Sequence, residues 1–284
     1  MREEALVFGC GGEALVGVLA RPDAPAARGV LIVVGGPQYR AGSHRQFTHL
    51  ARELARNGIA SLRFDYRGMG DSSGAARSFE AVDEDIGCAV DRLLSAVPEL
   101  RDVVIWGLCD AASAALFYAP RDARVSGVAL LNPWVRTEQG IAQAHLRHYY
   151  GQRLLAREFW RKVFTGGLDV HAAFASLGKF VMDAAAPRRA AAGTLPERME
   201  DGLRRFRGRV LLILSGKDLT ADEFRGMVSR SQRWTRLLAD ARVTRRDLVE
   251  ANHTFSRREW RDQVAHWTAE WVKQGELRRA HRPQ

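Results

Sequence analysis

Short apolar runs that alternate with longer amphipathic stretches constrain the fold of this chain most strongly. Five runs are rich in Val, Ile and Leu and are bounded by Gly, Asp or Pro: 30–34, 59–64, 103–106, 125–131 and 210–214. Between them, stretches such as 44–58 and 78–97 carry apolar residues at helical spacing. Buried strands separated by helices indicate a mostly parallel sheet that is covered on both faces. The predicted fold class is α/β.

The two ends of the chain and its middle complete the predicted organisation. The alternating segments EALVFG and ALVGVLA predict an antiparallel hairpin at one edge of the sheet, and RVTRRDLVE predicts a last short strand, which brings the sheet to eight strands. From Trp134 to Arg207 the sequence shows helical pieces only. Because ligands bind beyond the carboxyl ends of such strands, we predict a helical lid over 134–207 and a core of 1–133 and 208–284. An insertion that only packs on the sheet is the alternative.

Composition narrows the class of protein. With 284 residues, 46% of them hydrophobic, the chain is long enough to bury a core without disulfides. The three cysteines lie far apart and form no CxxC pair, so we predict no metal site and no cofactor. The first residues lack the pattern of a signal peptide, and no apolar run approaches the roughly 20 residues of a membrane helix. We therefore expect a cytoplasmic protein with no membrane span.

The net charge of +10 raises the question of a nucleic-acid partner. The basic residues are spread along the chain, and no helix-turn-helix, zinc-finger or RNP pattern accompanies them, so we predict none. All but four of the 43 basic residues are arginine. Arginine binds carboxylate and phosphate in a bidentate way, so an anionic substrate or carrier is the expectation.

The segment VVIWGLCDAASAAL, residues 103–116, carries the strongest chemical signal. An apolar strand runs through Gly107-Leu108-Cys109-Asp110-Ala111 directly into small helix-forming residues. This pattern is typical of a nucleophile elbow, a sharp turn that presents one side chain above the sheet and leaves room only for small residues two positions to either side. Cys109 is the predicted nucleophile. The alternative is a small buried hydrophobic residue, the usual role of a free cysteine.

A nucleophile in this architecture is followed along the chain by an acid and then by a histidine. Asp218 comes just after the run 210–214, and His253 lies between the last short strand and the final helix. We predict that His253 is the general base and that Asp218 orients it. An aspartate after a strand also serves as a helix cap, and a single histidine is often structural.

The oxyanion of an acyl-transfer intermediate needs two backbone N–H donors, one after the nucleophile and one in the loop after the third strand. Asp110 supplies the first. In the loop 35–45, Pro37 has no N–H, so Gln38 is the predicted second donor and Gly36 the fallback. The glycine-rich stretch FDYRGMGDSSG completes neither nucleotide-binding pattern, and we exclude a nucleotide site there.

Three further residues beside this loop are candidates for contact with a carrier phosphate: Arg40, His44 and Arg45. Surface salt bridges or contacts at the start of the first helix are the alternative role of these side chains.

With these motifs in register, the chain resembles the α/β-hydrolase superfamily over about 1–131 and 208–274. Three segments, GGPQYRAGSHRQF, LRFDYRGMGDSSG and WGLCDAASAAL, resemble the first of the two exosortase A system-associated hydrolase groups, which occur in bacterial exopolysaccharide and protein-sorting gene clusters. The resemblance implies a triad of Cys109, Asp218 and His253. The chain departs from the usual pattern with Gly35-Gly36 in place of His-Gly and with Ala111 in place of the second elbow glycine.

Three hypotheses about activity follow. The first is hydrolysis of an acyl thioester or activated ester through an acyl-cysteine, because a thiolate displaces another thiolate more easily than an alkoxide or an amine. The second is transfer of the acyl group to a sugar or an amine, and the third is ligand binding without catalysis. The acyl group could be carried on coenzyme A or an acyl carrier protein. Aromatic residues in the predicted lid suit either an acyl pocket or the face of a homodimer: Tyr149, Tyr150, Phe159, Trp160 and Phe164.

Overall fold

The computed structural model describes residues 1–24, 27–36, 38–135 and 193–280, with side chains to residue 275. The strands in these ranges are β1 Arg2–Cys10, β2 Glu13–Arg21, β3 Arg28–Val33, β4 Ala60–Asp65, β5 Asp102–Leu108, β6 Val125–Leu131, β7 Arg209–Ser215 and β8 Val243–Leu248. The helices are α1 Gln46–Arg56, α2 Asp83–Ala96, α3 Asp110–Tyr118, α4 Leu195–Arg205, α5 Leu219–Ser229, α6 Gln232–Leu238 and α7 Arg258–Ala280. Single turns of 3-10 helix lie at Ser43–Arg45, Phe79–Ala81 and Ala119–Arg121.

The strands form one eight-stranded sheet in the order β1-β2-β4-β3-β5-β6-β7-β8. β1 pairs with β2, and β2 with β4, in antiparallel fashion, whereas β4, β3, β5, β6, β7 and β8 run parallel. The predicted mostly parallel sheet with an antiparallel hairpin at its edge is confirmed. Helices α1 and α7 pack on each other and form one group. Helices α2 and α3 form a second group, so both faces of the sheet are covered.

The central strands are buried along their whole length, which explains their unbroken apolar sequence. Every residue of β3, β4 and β5 is buried. Helix α1 places Phe47 against Trp106 of β5, with ring centroids 5.5 Å apart in an edge-to-face arrangement. Both side chains are almost fully inaccessible to solvent, and burial of such a group contributes roughly 1.5–3 kcal/mol.

This topology brings the carboxyl ends of the parallel strands to a single edge of the sheet, where ligands bind in open α/β folds. The contacts divide the chain into two units, 1–135 with 199–284 and 136–198. Residues 136–192 of the predicted lid, including its aromatic residues, lie outside the described residues, so the lid stays a prediction.

Candidate active site

Cys109 is the single residue between β5 and α3, and its backbone has a conformation that few residues other than glycine adopt. Its φ is 64° and its ψ is −123°, outside the common regions for residues other than glycine. Main-chain hydrogen bonds hold the turn: the Cys109 N–H donates to Leu131 O over 2.9 Å, and Cys109 O accepts from Ala112 N over 3.1 Å and from Trp134 N over 3.2 Å. Strain of this kind is concentrated at functional sites, where it fixes the direction of one side chain.

The tightness of the turn accounts for the small residues on either side of Cys109. A Cβ at Gly107 would lie 2.5 Å from Ala111 O and 2.8 Å from Ala112 N, so only glycine fits there. Ala111 is fully buried. The geometry is that of the elbow expected from the sequence.

Asp218 and His253 form a direct pair at the same edge of the sheet. Asp218 follows β7, and its carboxylate accepts hydrogen bonds from Thr220 N over 3.1 Å and Ala221 N over 3.2 Å, which caps α5. The same carboxylate lies 2.9 Å from His253 Nδ1. A histidine that donates from Nδ1 has an unprotonated Nε2 when neutral, which is the state that a general base requires.

Asn132, which the sequence analysis did not single out, connects the loops that carry these two residues. It is fully buried, follows β6 directly and has a φ of 42°. Its Nδ2 donates to Ser215 Oγ over 2.9 Å and to His253 O over 3.1 Å, and its Oδ1 accepts from Ser215 N over 2.8 Å. An asparagine directly after an apolar strand was the available signal, because asparagine tolerates left-handed backbone better than most residues.

Further main-chain bonds join the ends of neighbouring strands. Asn132 N donates to Ile213 O over 3.1 Å, and Lys217 N donates to Ala251 O over 2.9 Å. With the bond from Cys109 N to Leu131 O, these contacts connect the strand ends that carry the predicted nucleophile, acid and base. A Cβ at Gly216 would lie 1.9 Å from Val249 O, which shows how closely the loops after β7 and β8 approach.

The loop after β3 lies against the elbow. Gly36 N donates to Asp110 Oδ1 over 2.8 Å. The side-chain Oε1 of Gln38 accepts a hydrogen bond from Ser43 N over 3.0 Å. The main-chain N–H of Gln38 has no hydrogen-bond partner within the part of the chain that the structure describes. Of the two predicted second donors, the Gly36 N–H is therefore engaged by Asp110, whereas the main-chain N–H of Gln38 has no such partner among the described residues.

Arg40 ties the loop after β3 to the loop after β4. Its N–H donates to Asp65 Oδ1 over 2.6 Å, and its guanidinium pairs with Asp65 and, over 2.5 Å, with Asp71. Asp65 is fully buried, and a Cβ at Gly70 would lie 2.2 Å from its Oδ2. Gly70 of FDYRGMGDSSG thus makes room for the Arg40–Asp65 ion pair.

The other two candidates for carrier contact differ from Arg40. His44 and Arg45 are exposed and precede α1 with φ angles of 52° and 57°. Arg40 is held by two carboxylates, whereas these two side chains face solvent.

No described helix is long and apolar enough to cross a membrane. No group of three or more His, Cys, Asp or Glu side chains in the described ranges is arranged to hold a metal ion.

The sheet order, the elbow and the Asp–His pair define the class as an α/β hydrolase, in agreement with the resemblance noted in the sequence. The pattern of the family described as serine aminopeptidase, S33, matches residues 25–175, more than half of the chain, and the chain belongs to this hydrolase family. The family is named for serine, whereas the predicted nucleophile of this chain is a cysteine, Cys109. No curated protein matches the chain.

Solved structures with the same fold include several hydrolases. An esterase of Pyrococcus furiosus is 15% identical, with a TM-score of 0.65, and the match covers 96% of this chain and 92% of that one. The esterase domain of a Rhodothermus marinus protein is 21% identical, with a TM-score of 0.61, over 96% and 99% of the two chains. A putative α/β hydrolase of Agrobacterium tumefaciens is 16% identical, with a TM-score of 0.61, over 99% and 100%. At these identities the likeness concerns the fold.

Proposed function

We propose that this protein is an acyl hydrolase that cleaves thioesters or activated esters through an acyl-cysteine at Cys109. The observation that carries the proposal is the left-handed Cys109 at the strand-to-helix turn, with the hydrogen-bonded pair His253–Asp218 at the same edge of the sheet. The esterases of similar fold are consistent with ester cleavage.

The chemistry proceeds in two covalent steps. His253 Nε2 takes the proton of the Cys109 thiol, and the sulfur attacks the acyl carbon to give a tetrahedral oxyanion. The carbonyl reforms as the thiol or alcohol departs with the proton from His253. A water molecule, deprotonated by His253, then attacks the acyl-cysteine and releases the carboxylic acid and the free thiol of Cys109. Asp218 holds the imidazole and stabilises its cation during both steps.

Leaving-group chemistry favours thioesters. Attack by a thiolate on a thioester exchanges two sulfur leaving groups of similar basicity, whereas an alkyl ester or a peptide must expel a much poorer one. The family name refers to an aminopeptidase, so peptide cleavage is an arm of the test below.

The surroundings of the site suit an apolar acyl group. Large hydrophobic side chains are exposed at three positions at this edge: Tyr39 after β3, Leu219 at the start of α5 and Val249 after β8. An acyl chain would cover such side chains. His44 and Arg45 are then the candidates for contact with an anionic carrier such as coenzyme A or an acyl carrier protein, since Arg40 is committed to Asp65 and Asp71.

The exosortase-associated group suggests an exopolysaccharide setting, in which the acyl group is passed to a sugar or an amine instead of water. Both outcomes share the acyl-cysteine. They differ in what attacks it, so an added acceptor separates them.

The experiment presents the protein with acyl thioesters, matched oxoesters and aminoacyl arylamides of varied chain length. Release of the leaving group and the intact protein mass are followed together. Cys109→Ala is the inactivated variant, and Cys88→Ala, a half-buried thiol away from the elbow, is the matched control.

Release of thiol with a transient acyl adduct, lost in Cys109→Ala and kept in Cys88→Ala, is the expected result. A lasting adduct that only an added alcohol or amine discharges would assign transfer instead of hydrolysis. Turnover that survives in Cys109→Ala would refute the proposal, and preferential cleavage of arylamides would refute the choice of substrate.

A further inference from the structure

The carboxylate of Asp110 lies between the elbow and the loop after β3. Asp110 is the first residue of α3, and its Oδ1 accepts the Gly36 N–H over 2.8 Å. Burial raises the pKa of Asp110, and hydrogen bonds from backbone amides, led by that of Gly36, offset only part of this rise. The Asp110 carboxylate therefore has a specific hydrogen-bond partner, the Gly36 N–H, in a loop that is distant in sequence.

The double glycine of the loop is shaped around this carboxylate. A Cβ at Gly35 would lie 2.4 Å from Asp110 Oδ1 and 2.4 Å from Leu108 O, so a side chain at this position would push the loop away from the elbow. Gly36 follows with a φ of 61°, a conformation that glycine adopts without strain. Glycine at these two positions, in place of the usual His-Gly, lets the loop close onto Asp110.

This contact determines which amides are left for a substrate. The Gly36 N–H is consumed by Asp110, and proline at position 37 has no N–H. The next amide along the loop is that of Gln38, whose side chain is held by Ser43 N. The position of the Gln38 main-chain N–H therefore depends on how the loop is anchored two residues earlier, at Gly36.

We propose that Asp110 is a positioning residue for the oxyanion site. Its side chain accepts a hydrogen bond from the Gly36 N–H, holds the loop after β3 in place and so positions the main-chain N–H of Gln38 as the second donor. This inference rests on the proposed function, with Cys109 as the nucleophile. Asp110 thus has two separate roles in the proposal: its own N–H is the predicted first donor, and its carboxylate positions the second.

The charge and the hydrogen bond of Asp110 have opposite effects on the reaction. A negative carboxylate beside the donors opposes the developing oxyanion, whereas the bond to Gly36 aligns them. Asp110→Asn keeps an oxygen that accepts from Gly36 and removes the charge, and Asp110→Ala removes both. We expect Asp110→Ala to slow acylation by about 10²-fold, the effect of losing one oxyanion donor, and Asp110→Asn to acylate at least as fast as the wild type.

The experiment compares two reactions of the same sulfur. Acylation by p-nitrophenyl butyrate passes through an oxyanion and is followed by nitrophenolate release in a single turnover. Alkylation by iodoacetamide displaces iodide at a saturated carbon and forms no oxyanion, so alkylation of Cys109, followed by peptide mapping to separate it from Cys10 and Cys88, reports the reactivity of this thiol without the oxyanion site. Asp122→Ala is the matched control, because Asp122 accepts from Arg124 and Tyr118 beyond the far end of the same helix.

The expected result is a large loss of acylation in Asp110→Ala with alkylation equal to or faster than in the wild type, and no such split in Asp122→Ala. Equal losses in both reactions would overturn the inference, because they would assign Asp110 to thiol reactivity or folding. Unchanged acylation in Asp110→Ala, or an equal loss in Asp110→Asn, would also overturn it. Failure of the wild type to acylate at Cys109 would instead refute the proposed function on which the inference rests.

Discussion

Asn132→Ala tests whether the loops that carry Asp218 and His253 are held together by one buried side chain. The amide of Asn132 makes three hydrogen bonds, to Ser215 N, Ser215 Oγ and His253 O. We expect the substitution to lower both the free energy of unfolding and the catalytic rate, because all three bonds are lost inside the protein.

The magnitude follows from these contacts. Each bond contributes about 1 kcal/mol net, and the Ser215 N–H is left buried without its partner, which adds about 1 kcal/mol or more. Alanine at the φ of 42° adds a further cost of about 1 kcal/mol, since it lacks the local hydrogen bonding that lets asparagine adopt this conformation. The expected total, allowing for partial relaxation, is about 4 kcal/mol. This is a large share of the roughly 5–15 kcal/mol that stabilises a typical domain.

Urea unfolding, followed by circular dichroism, measures the stability change as a shift of midpoint at constant slope. Single-turnover acylation in the absence of urea measures the effect on the site, where we expect a loss of tenfold or more because His253 O is no longer tethered. Asn57→Ala is the matched control, since Asn57 bonds Glu53 at the end of α1 and is half-buried. A loss below about 1 kcal/mol in Asn132→Ala, with an unaltered acylation rate, would show that the bridge does not hold the site.

Three further substitutions and treatments have defined outcomes. Asp218→Asn removes the charge that stabilises the His253 cation and should lower kcat by about 10²–10⁴-fold in a steady-state assay, while helix α5 persists by circular dichroism; an unchanged kcat would contradict the proposed role. Iodoacetamide under native conditions should label Cys109 before Cys10, because burial raises the pKa of the Cys10 thiol to about 12; peptide mapping that finds the reverse order would be inconsistent with this structure. The Arg124 guanidinium lowers the pKa of Asp122 to about 2. The ionised Asp122 therefore stabilises the folded protein fully above about pH 4, and this contribution is lost as the pH falls towards 2. Asp122→Asn should therefore flatten the fall in stability between pH 4 and 2 in urea titrations, and parallel curves for the two proteins would argue against it.

The features that the sequence predicted correctly are local ones. Strand periodicity and the apolar runs depend on neighbouring residues, and they led to the eight-stranded sheet and its edge hairpin. The sharp turn at the elbow was predictable for the same reason, because residues 107 and 111 lie so close together within it that both must be small.

Contacts between distant segments could not be read in this way, apart from the pair Asp218–His253, which the order of the motifs along the chain predicted. Asn132 lies 83 residues before its partner Ser215, and the Asp110 side chain bonds a glycine 74 residues earlier. Arg40 had the sequence context of a phosphate-binding side chain, yet Asp65, a buried carboxylate at the end of another strand, pairs with its guanidinium. Which of several polar side chains is free for a ligand depends on pairings that only the folded chain reveals.

The elbow has a consequence for how such enzymes diversify. Its turn is held by main-chain hydrogen bonds at Cys109 N and Cys109 O and by the small residues around it, none of which involves the sulfur atom. These main-chain contacts of the turn can therefore form with serine as well as with cysteine at position 109, and a single nucleotide change converts a cysteine codon into a serine codon. With Cys109 as the proposed nucleophile, exchange of this one side chain would change the leaving groups that the site prefers while the main-chain contacts of the turn stay the same.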